Sequence, residues 1–312
     1  MKQWVKGFLF AIVGVLFLVG CSTDAPGSSN TTSSENQGTE DATLKVGFSI
    51  STLNNPFFVT LNEGAEAEAA KHGIEITTVD AQNDPSKQAN DIEDLIQQGV
   101  QVLLINPADS EAITSSIKAA NDAGIPVITV DRNAEGGEVV AHIASDNIAG
   151  GEMAGAFIIE QLGGAGKVVE LEGIPGSSAA RERGEGFNNS ITNETGIEVV
   201  ARQSADFDRA QGLTVMENIL QSNREIDAIF AHNDEMALGA IVALESAGIE
   251  DVLVVGFDAT DDAVKAVEDG KMAATVAQKP EAIGVQAIQI AIEVNEGNTV
   301  EEFIPVELEL VQ

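Results

Sequence analysis

Amides, carboxylates, guanidinium groups and phenylalanines recur at short intervals along this sequence, each set just after an apolar, β-branched run. The segments are Asn54-Asn55-Pro56-Phe57-Phe58, Asn106-Pro107, Asp131-Arg132, Ser145-Asp146-Asn147, His232-Asn233-Asp234 and Phe257-Asp258. Together these side chains suit a neutral polyol. Planar groups match vicinal hydroxyls in pairs, and Asp and Arg make the stronger, charge-assisted bonds. The C–H face of a sugar ring needs a flat apolar partner, and Phe supplies one with no hydroxyl to satisfy. Phe57, Phe58 and Phe257 fall in these segments, and Phe207 lies in a further polar stretch, Asp206-Phe207-Asp208.

Other chemistries find few parts. Gly163-Gly164-Ala165-Gly166-Lys167 precedes a strand pattern rather than a helix and misses both glycine-rich phosphate spacings, so it reads as a helix end and turn. The three histidines, His72, His142 and His232, are scattered, and no G-x-S-x-G elbow is present. Paired carboxylates decide nothing in a chain with 50 Asp and Glu against 16 Lys and Arg. No catalytic residue, metal or cofactor is expected.

The elements that hold these groups alternate. Strand patterns are read at 46–50, 74–79, 102–105, 127–130, 139–143, 167–171, 197–201, 228–231 and 252–257. Amphipathic helical stretches follow at 58–71, 87–97, 112–123, 147–162, 178–190, 209–221, 234–246 and 260–268, several closed by glycine. Alternating βα units mean parallel sheets with helices on both faces, and about ten strands fit two sheets better than one. The fold class is α/β, with two doubly wound parallel-sheet lobes and a break near Ser145-Asp146-Asn147. Ligands of such sheets bind beyond the carboxyl ends of the strands, where the polar segments lie.

The formal net charge of −34 argues against nucleic acid and against docking on anionic lipid by charge. At the start, Lys2 and Lys6 precede twelve residues, Phe8 to Val19, all apolar except Gly14; this is too short to span a membrane and reads as a signal peptide, residues 1–20. Its end, Leu18-Val19-Gly20-Cys21, resembles a lipobox and holds the only cysteine of the chain, so Cys21 is the expected lipidation site. Residues 22–43 are rich in Ser, Thr, Gly and Asn and read as a flexible tether, with an r.m.s. span of roughly 25 Å. The expected location is extracytoplasmic, on the outer face of the cell membrane, with the lipid as the only membrane contact.

In order and spacing, STLNNPFF (51–58), LLINPADS (103–110), HIASDN (142–147), SAARERGEGF (178–187), ADFDRAQGL (205–213), NDEMALGA (233–240) and VVGFD (254–258) resemble the bacterial D-ribose-binding proteins, solute receptors of ribose ABC importers. The resemblance spans residues 44–312. It implies a periplasmic binding protein type I fold, its lobes joined by a three-strand hinge with crossings near 145–147, 277–280 and 304–307. The first lobe would comprise 44–145 and 279–305, the second 146–278 and 306–312. It puts Phe57 and Phe58 on one side of the sugar ring and Phe207 on the other. It gives Asn55, Asn106, Asp131 and Arg132 hydroxyl contacts from the first lobe. From the second lobe and hinge it gives the same role to Arg183, Asn233, Asp258 and Gln278. Ser51, Ser145 and Phe257 would sit at the rim or behind. His232 stands where the family usually has another residue, and the difference is expected to be neutral. Implied partners are D-ribose, a membrane permease with its ATPase subunit and, as a further reader of the closed form, a chemoreceptor; a monomer is expected.

Other readings of the residues stay open here. Asn106, Asn233 and Asp258 are also residue types that cap helices, and Phe57 and Phe58 are also core types. Asp84-Pro85 reads as a cap with Pro in the first turn. Arg181 and Arg183 cannot share a helix face, so Arg183 is assigned to the sugar and Arg181 to a surface pair with Glu185. Phe48, Phe157, Phe187 and Phe230 are expected in the core. The ligand alternatives are allose, galactose or a furanosyl autoinducer. The functional rivals are a repressor core, which would need a basic DNA-binding segment, and a surface hydrolase, which would need a nucleophile and base.

Overall fold

The computed structural model describes residues 43–312 apart from Asn193; the expected signal peptide, Cys21 and nearly all of the expected tether lie outside the described residues. Residues 43–312 form one compact unit. Its first part runs β1 (Lys45–Ile50), α1 (Pro56–His72), β2 (Glu75–Asp80), α2 (Pro85–Gln97), β3 (Val102–Ile105), α3 (Thr114–Asp122), β4 (Val127–Val130) and β5 (Ala141–Ser145). The second part runs α4 (Asn147–Leu162), β6 (Ala165–Glu172), α5 (Ser178–Ile191), β7 (Gly196–Ser204), α6 (Arg209–Ser222), β8 (Ala228–Ala231), α7 (Asp234–Ala247), β9 (Leu253–Asp258), α8 (Asp261–Glu268) and β10 (Ala274–Ala277). It closes with α9 (Pro280–Asn295), β11 (Phe303–Val306) and β12 (Glu309–Val311).

Two six-stranded sheets result, ordered β11-β5-β4-β3-β1-β2 and β12-β10-β9-β8-β6-β7. Every pairing is parallel except β12 on β10, an antiparallel edge on an otherwise parallel sheet. The central strands β3, β4 and β8 are wholly buried, as parallel strands covered on both faces must be. In each sheet the chain order reverses beside the first strand of its lobe, β1 or β6. The polar segments therefore gather at the switch points, from the ends of β1, β3 and β4 on one side and of β6, β8 and β9 on the other.

The chain passes between the sheets three times: from β5 to α4, from β10 to α9, and from β11 to β12. The last passage lies slightly later than expected. Val306 still pairs with Ser145 in the first sheet, so the crossing falls at Glu307 and Leu308 and the boundary at 305/306 is too early. Helix α9 is absent from the sequence reading, which stops at 268. It returns the chain to the first lobe, where Ile283, Ala287, Ile288 and Ala291 join the core against α1.

Helix starts follow local chemistry. The Asn55 side chain accepts the Phe57 N–H and Pro56 begins α1; Asp84 and Pro85 do the same for α2. Helices α4 and α5 meet backbone to backbone. A Cβ on Gly151 would run into the Arg183 carbonyl, and one on Gly186 into the Ile148 carbonyl. That close approach fixes the height of Arg183 above the sheet. Phe48, Phe157, Phe187 and Phe230 are all buried in the core.

Candidate functional site

Between the lobes, Asn55, Phe57, Phe58, Asp131 and Arg132 face Ala179, Arg183, Phe207, Asn233 and Asp258, with Gln278 at the crossing from β10. They surround one small, tightly lined pocket. Ten of the eleven residues expected to touch a ligand thus line one pocket. The eleventh, Asn106, lies behind it: its Nδ2 donates to the Val130 carbonyl at 3.0 Å and faces Asp131 Oδ2 at 3.4 Å, while its Oδ1 accepts the Ser51 N–H at 3.2 Å. Phe257 also lies behind, its ring centre 3.9 Å from the Arg183 guanidinium carbon. Ser51 and Ser145 are buried, and neither hydroxyl has a partner within the described residues.

The cap reading holds for Asn233 alone of its three candidates. Its Oδ1 accepts the Met236 N–H at 3.0 Å, while its Nδ2 donates to the Phe207 carbonyl at 3.2 Å. Phe57 and Phe58 are at once core and wall: they stack edge to face with centroids 5.2 Å apart and belong to the first-lobe core. The Arg132 guanidinium lies 5.0 Å from the Phe58 ring centre and 5.3 Å from that of Phe207, bridging the aromatic surfaces of the two lobes.

The charged groups balance in sign but are not closed ion pairs. Arg132 Nε stands 3.8 Å from Asp131 Oδ2, and Arg183 Nη1 stands 3.7 Å from Asp258 Oδ1. Arg183 is otherwise held by Nε on Asn147 Oδ1 at 2.9 Å and Nη1 on the His232 carbonyl at 2.6 Å. Gln278 Nε2 donates to Asp258 Oδ1 at 2.8 Å. Three polar atoms on pocket residues are buried with no hydrogen-bond partner among the described residues: Asp131 Oδ1, Arg132 Nε and Gln278 Oε1. Buried polar groups are rarely left so, and a hydroxyl-bearing ligand is what would satisfy them. Burial raises the pKa of Asp131 against the pull of Arg183 and Arg132, and raises that of Asp258 well above the carboxylate range. Burial likewise lowers Arg132 to about 10.

Backbone strain gathers here too. Asp131 (φ 61°), Phe207 (φ 59°) and Asp258 (φ 119°) all occupy the left-handed side of conformational space. For residues with a Cβ this is costly, and such strain persists at functional sites.

One rim of the cleft is tied shut. The Ser110 N–H donates to the Gly176 carbonyl at 2.9 Å, the Ser178 N–H to Ser110 Oγ at 3.1 Å, and the Asn133 N–H to Ser178 Oγ at 2.8 Å. Arg181 does not pair with Glu185. It reaches across the cleft and donates through Nη2 to Glu135 Oε1 at 2.6 Å, because its position on α5 faces the other lobe. On another side, a larger cavity shares Phe57, Asp258 and Gln278 with the pocket, but its own cation, Arg209, is already taken up by Glu235 and Asp262.

Sequence reasoning passed over Ala179 and Glu170, named Asn147 only as part of a strand-end segment, and took His232 to be neutral. Ala179 carries no chemistry to notice. Glu170 was visible as a carboxylate within the apolar strand Val168-Val169-Glu170-Leu171.

Comparison with known proteins agrees with this geometry. Residues 46–299 match the periplasmic binding protein domain. The chain is 52% identical over 310 residues to the ribose import binding protein RbsB of Bacillus subtilis, covering 99% of each chain. It is 53% identical over 262 residues to the protein of the same name from Escherichia coli, covering 84% of this chain and 88% of that one. Among solved structures, an ABC transporter solute binding protein of Bacillus halodurans with bound myo-inositol superposes with a TM-score of 0.82 at 36% identity, covering 87% of this chain and 96% of that one. These relatives are sugar-binding transport proteins or solute receptors rather than enzymes. With its two parallel-sheet α/β lobes closed over one small polar pocket, the chain belongs to the periplasmic binding protein family.

Proposed function

We propose that this protein captures D-ribose between its two lobes and delivers it to an ABC importer, without a catalytic step. The observation that carries the reading is the pocket: carboxylate, guanidinium and amide groups from both lobes converge on it, flanked by Phe57, Phe58 and Phe207. The 52% identity to a ribose import binding protein along nearly the whole chain supports ribose as the sugar. Asn55, Asp131, Arg132, Arg183, Asn233, Asp258 and Gln278 would bond the hydroxyls, and the rings would cover the C–H faces. Asn106 would act from behind by holding Asp131. Because the contacts divide between lobes, sugar binds the closed state better than the open one, and a ligand shifts an equilibrium only by such a difference. Micromolar affinity corresponds to about −8 kcal/mol. Several charge-assisted bonds at roughly 1.5–3 kcal/mol each, with ring burial, reach that after ordering costs.

Family membership implies an extracytoplasmic protein, and none of the described helices is long and apolar enough to cross a membrane. Under the proposal Cys21 carries the lipid, residues 22–43 form the tether, and a monomer presents its closed form to a permease with its ATPase and to a chemoreceptor.

A thermal-shift panel with D-ribose, D-allose, D-galactose and myo-inositol tests the reading. Ligand at about 1,000 times its Kd stabilises by about 4 kcal/mol, enough to move the melting temperature by several degrees. The shift is expected for ribose. A larger shift with another sugar would keep the receptor and replace its ligand. No shift with any of them, from protein stripped of copurified ligand, would remove the sugar-receptor reading.

A further inference from the structure

Behind the second-lobe wall runs a buried hydrogen-bonded chain that the hydroxyl contacts do not use. Glu170 sits within β6 and is fully buried, a costly place for a carboxylate unless it is paired. Its Oε2 accepts from Arg202 Nε at 2.5 Å, and its Oε1 faces His232 Nε2 at 3.1 Å. On the other side of the ring, His232 Nδ1 accepts the Gly173 backbone N–H at 3.3 Å. That contact sets the tautomer. Nδ1 is bare, so the single ring proton sits on Nε2 and is donated to Glu170.

What His232 touches supports two groups of the pocket. Its backbone carbonyl accepts Arg183 Nη1 at 2.6 Å. Gly173 lies directly against the Phe207 ring, which a Cβ at that position would run into. The Gly173 carbonyl is held in turn by Ser204 Oγ at 2.8 Å. Gly184 leaves room for the imidazole, since a Cβ there would lie 3.2 Å from His232 Cε1. One residue thus joins the guanidinium that meets the hydroxyls to the peptide beneath the ring that covers the sugar.

We infer that His232, braced by Glu170, is a positioning residue for the binding site, setting the Arg183 guanidinium and the Phe207 ring in register with each other. The inference rests on the sugar-receptor reading of the pocket. It revises the expectation that a histidine here is neutral.

Calorimetric titration of D-ribose into the wild type and into His232→Phe, His232→Ala and His232→Gln tests it, with melting curves to show which variants fold. Phe fills the space but leaves the Gly173 N–H and Glu170 Oε1 without their partner; Ala leaves them so as well. Gln brings one acceptor and one donor. The expected result is at least a tenfold loss of affinity for a folded Phe or Ala variant, and Gln within threefold of wild type. Should Phe not fold, Ala against Gln carries the comparison. Folded Phe or Ala variants within threefold of wild type would overturn the inference, and so would Gln as weak as Ala. A wild type that binds no sugar would count against the receptor reading instead. In that case the ¹⁵N shifts of the His232 ring test the arrangement alone: an Nε2–H tautomer supports it and an Nδ1–H tautomer overturns it.

Discussion

On the first-lobe wall, Asp131 and Arg132 present a carboxylate oxygen and a guanidinium nitrogen that make no hydrogen bond among the described residues. On the second-lobe wall, Arg183 is tied by Nε to Asn147 and by Nη1 to the His232 carbonyl, Asp258 is met by Gln278, and Asn233 holds the Phe207 carbonyl. Both walls carry the same residue types, yet one leaves an oxygen of Asp131 and the Nε of Arg132 open, while the other spends most of its polar atoms on the protein. The open wall gains most when a ligand supplies the missing partners. The braced wall is already shaped, so the ligand meets it with little further ordering, and pre-organisation of this kind raises affinity by cutting the cost of binding. Damage to the two walls should therefore differ: contact loss on the first, and loss of contact together with framework on the second.

The largest effect is expected at the carboxylate that joins the braced wall to the hinge. Asp258→Asn should weaken ribose binding at least 100-fold by calorimetry, because a charge-assisted acceptor is lost from the pocket. The same substitution should stabilise the ligand-free protein at neutral pH. The folded-state pKa of Asp258 lies above its unfolded value, so its stabilising contribution is complete only below the ordinary carboxylate range and is lost as pH rises through the folded pKa. Melting curves at several pH values should show the gain of the Asn variant over wild type shrinking as pH falls. A variant that binds ribose like wild type would break the account of this wall.

Next in size is the pH dependence of affinity itself. Sugar hydroxyls donate to ionised carboxylates, and burial raises the pKa of both Asp131 and Asp258. Protonation thus competes with ribose as pH falls through these raised values, above the range where free carboxylates titrate. Titrations from neutral to mildly acidic pH should show steadily weaker binding. Affinity rising over that interval would mean that a neutral acid donates to the sugar.

A smaller effect separates framework from contact. Gly151→Ala touches no ligand but forces α4 away from the Arg183 carbonyl. Overpacking of this kind costs about 1–3 kcal/mol, which denaturant unfolding should register. Ribose affinity should fall several-fold through Arg183. Unchanged affinity in a destabilised variant would show that the braced wall tolerates movement.

The smallest belongs to the rim. Arg181 and Glu135 are both substantially exposed, with side chains 44% and 51% accessible, and such pairs are worth about 0–1 kcal/mol. Arg181→Ala should weaken binding no more than about fivefold, and the difference should vanish at high salt.

Much of this site was legible because its chemistry lies at strand ends, where fold class alone says to look. Asp131, Arg132, Asn233 and Asp258 each follow an apolar run, and residue type announces them. The residues that act through others were not legible. Asn147 and His232 meet Arg183 rather than the pocket, and Ala179 lines it without a functional group. The left-handed backbone at Asp131, Phe207 and Asp258 gave no glycine as a sign. Arg181 was matched to Glu185, a neighbour along its helix, because nothing local reveals a partner in the other lobe. Helix α9 was missed although its buried residues recur at helical spacing, since Ile290 and Ile292 also pack against the core and widen the apolar stripe.

Calorimetric titration of D-ribose into protein freed of copurified sugar tests the central claim most directly. The account expects one site per chain, with affinity near micromolar, that binds ribose in preference to allose, galactose and myo-inositol. The absence of binding heat with any of these, from a folded sample, would contradict it.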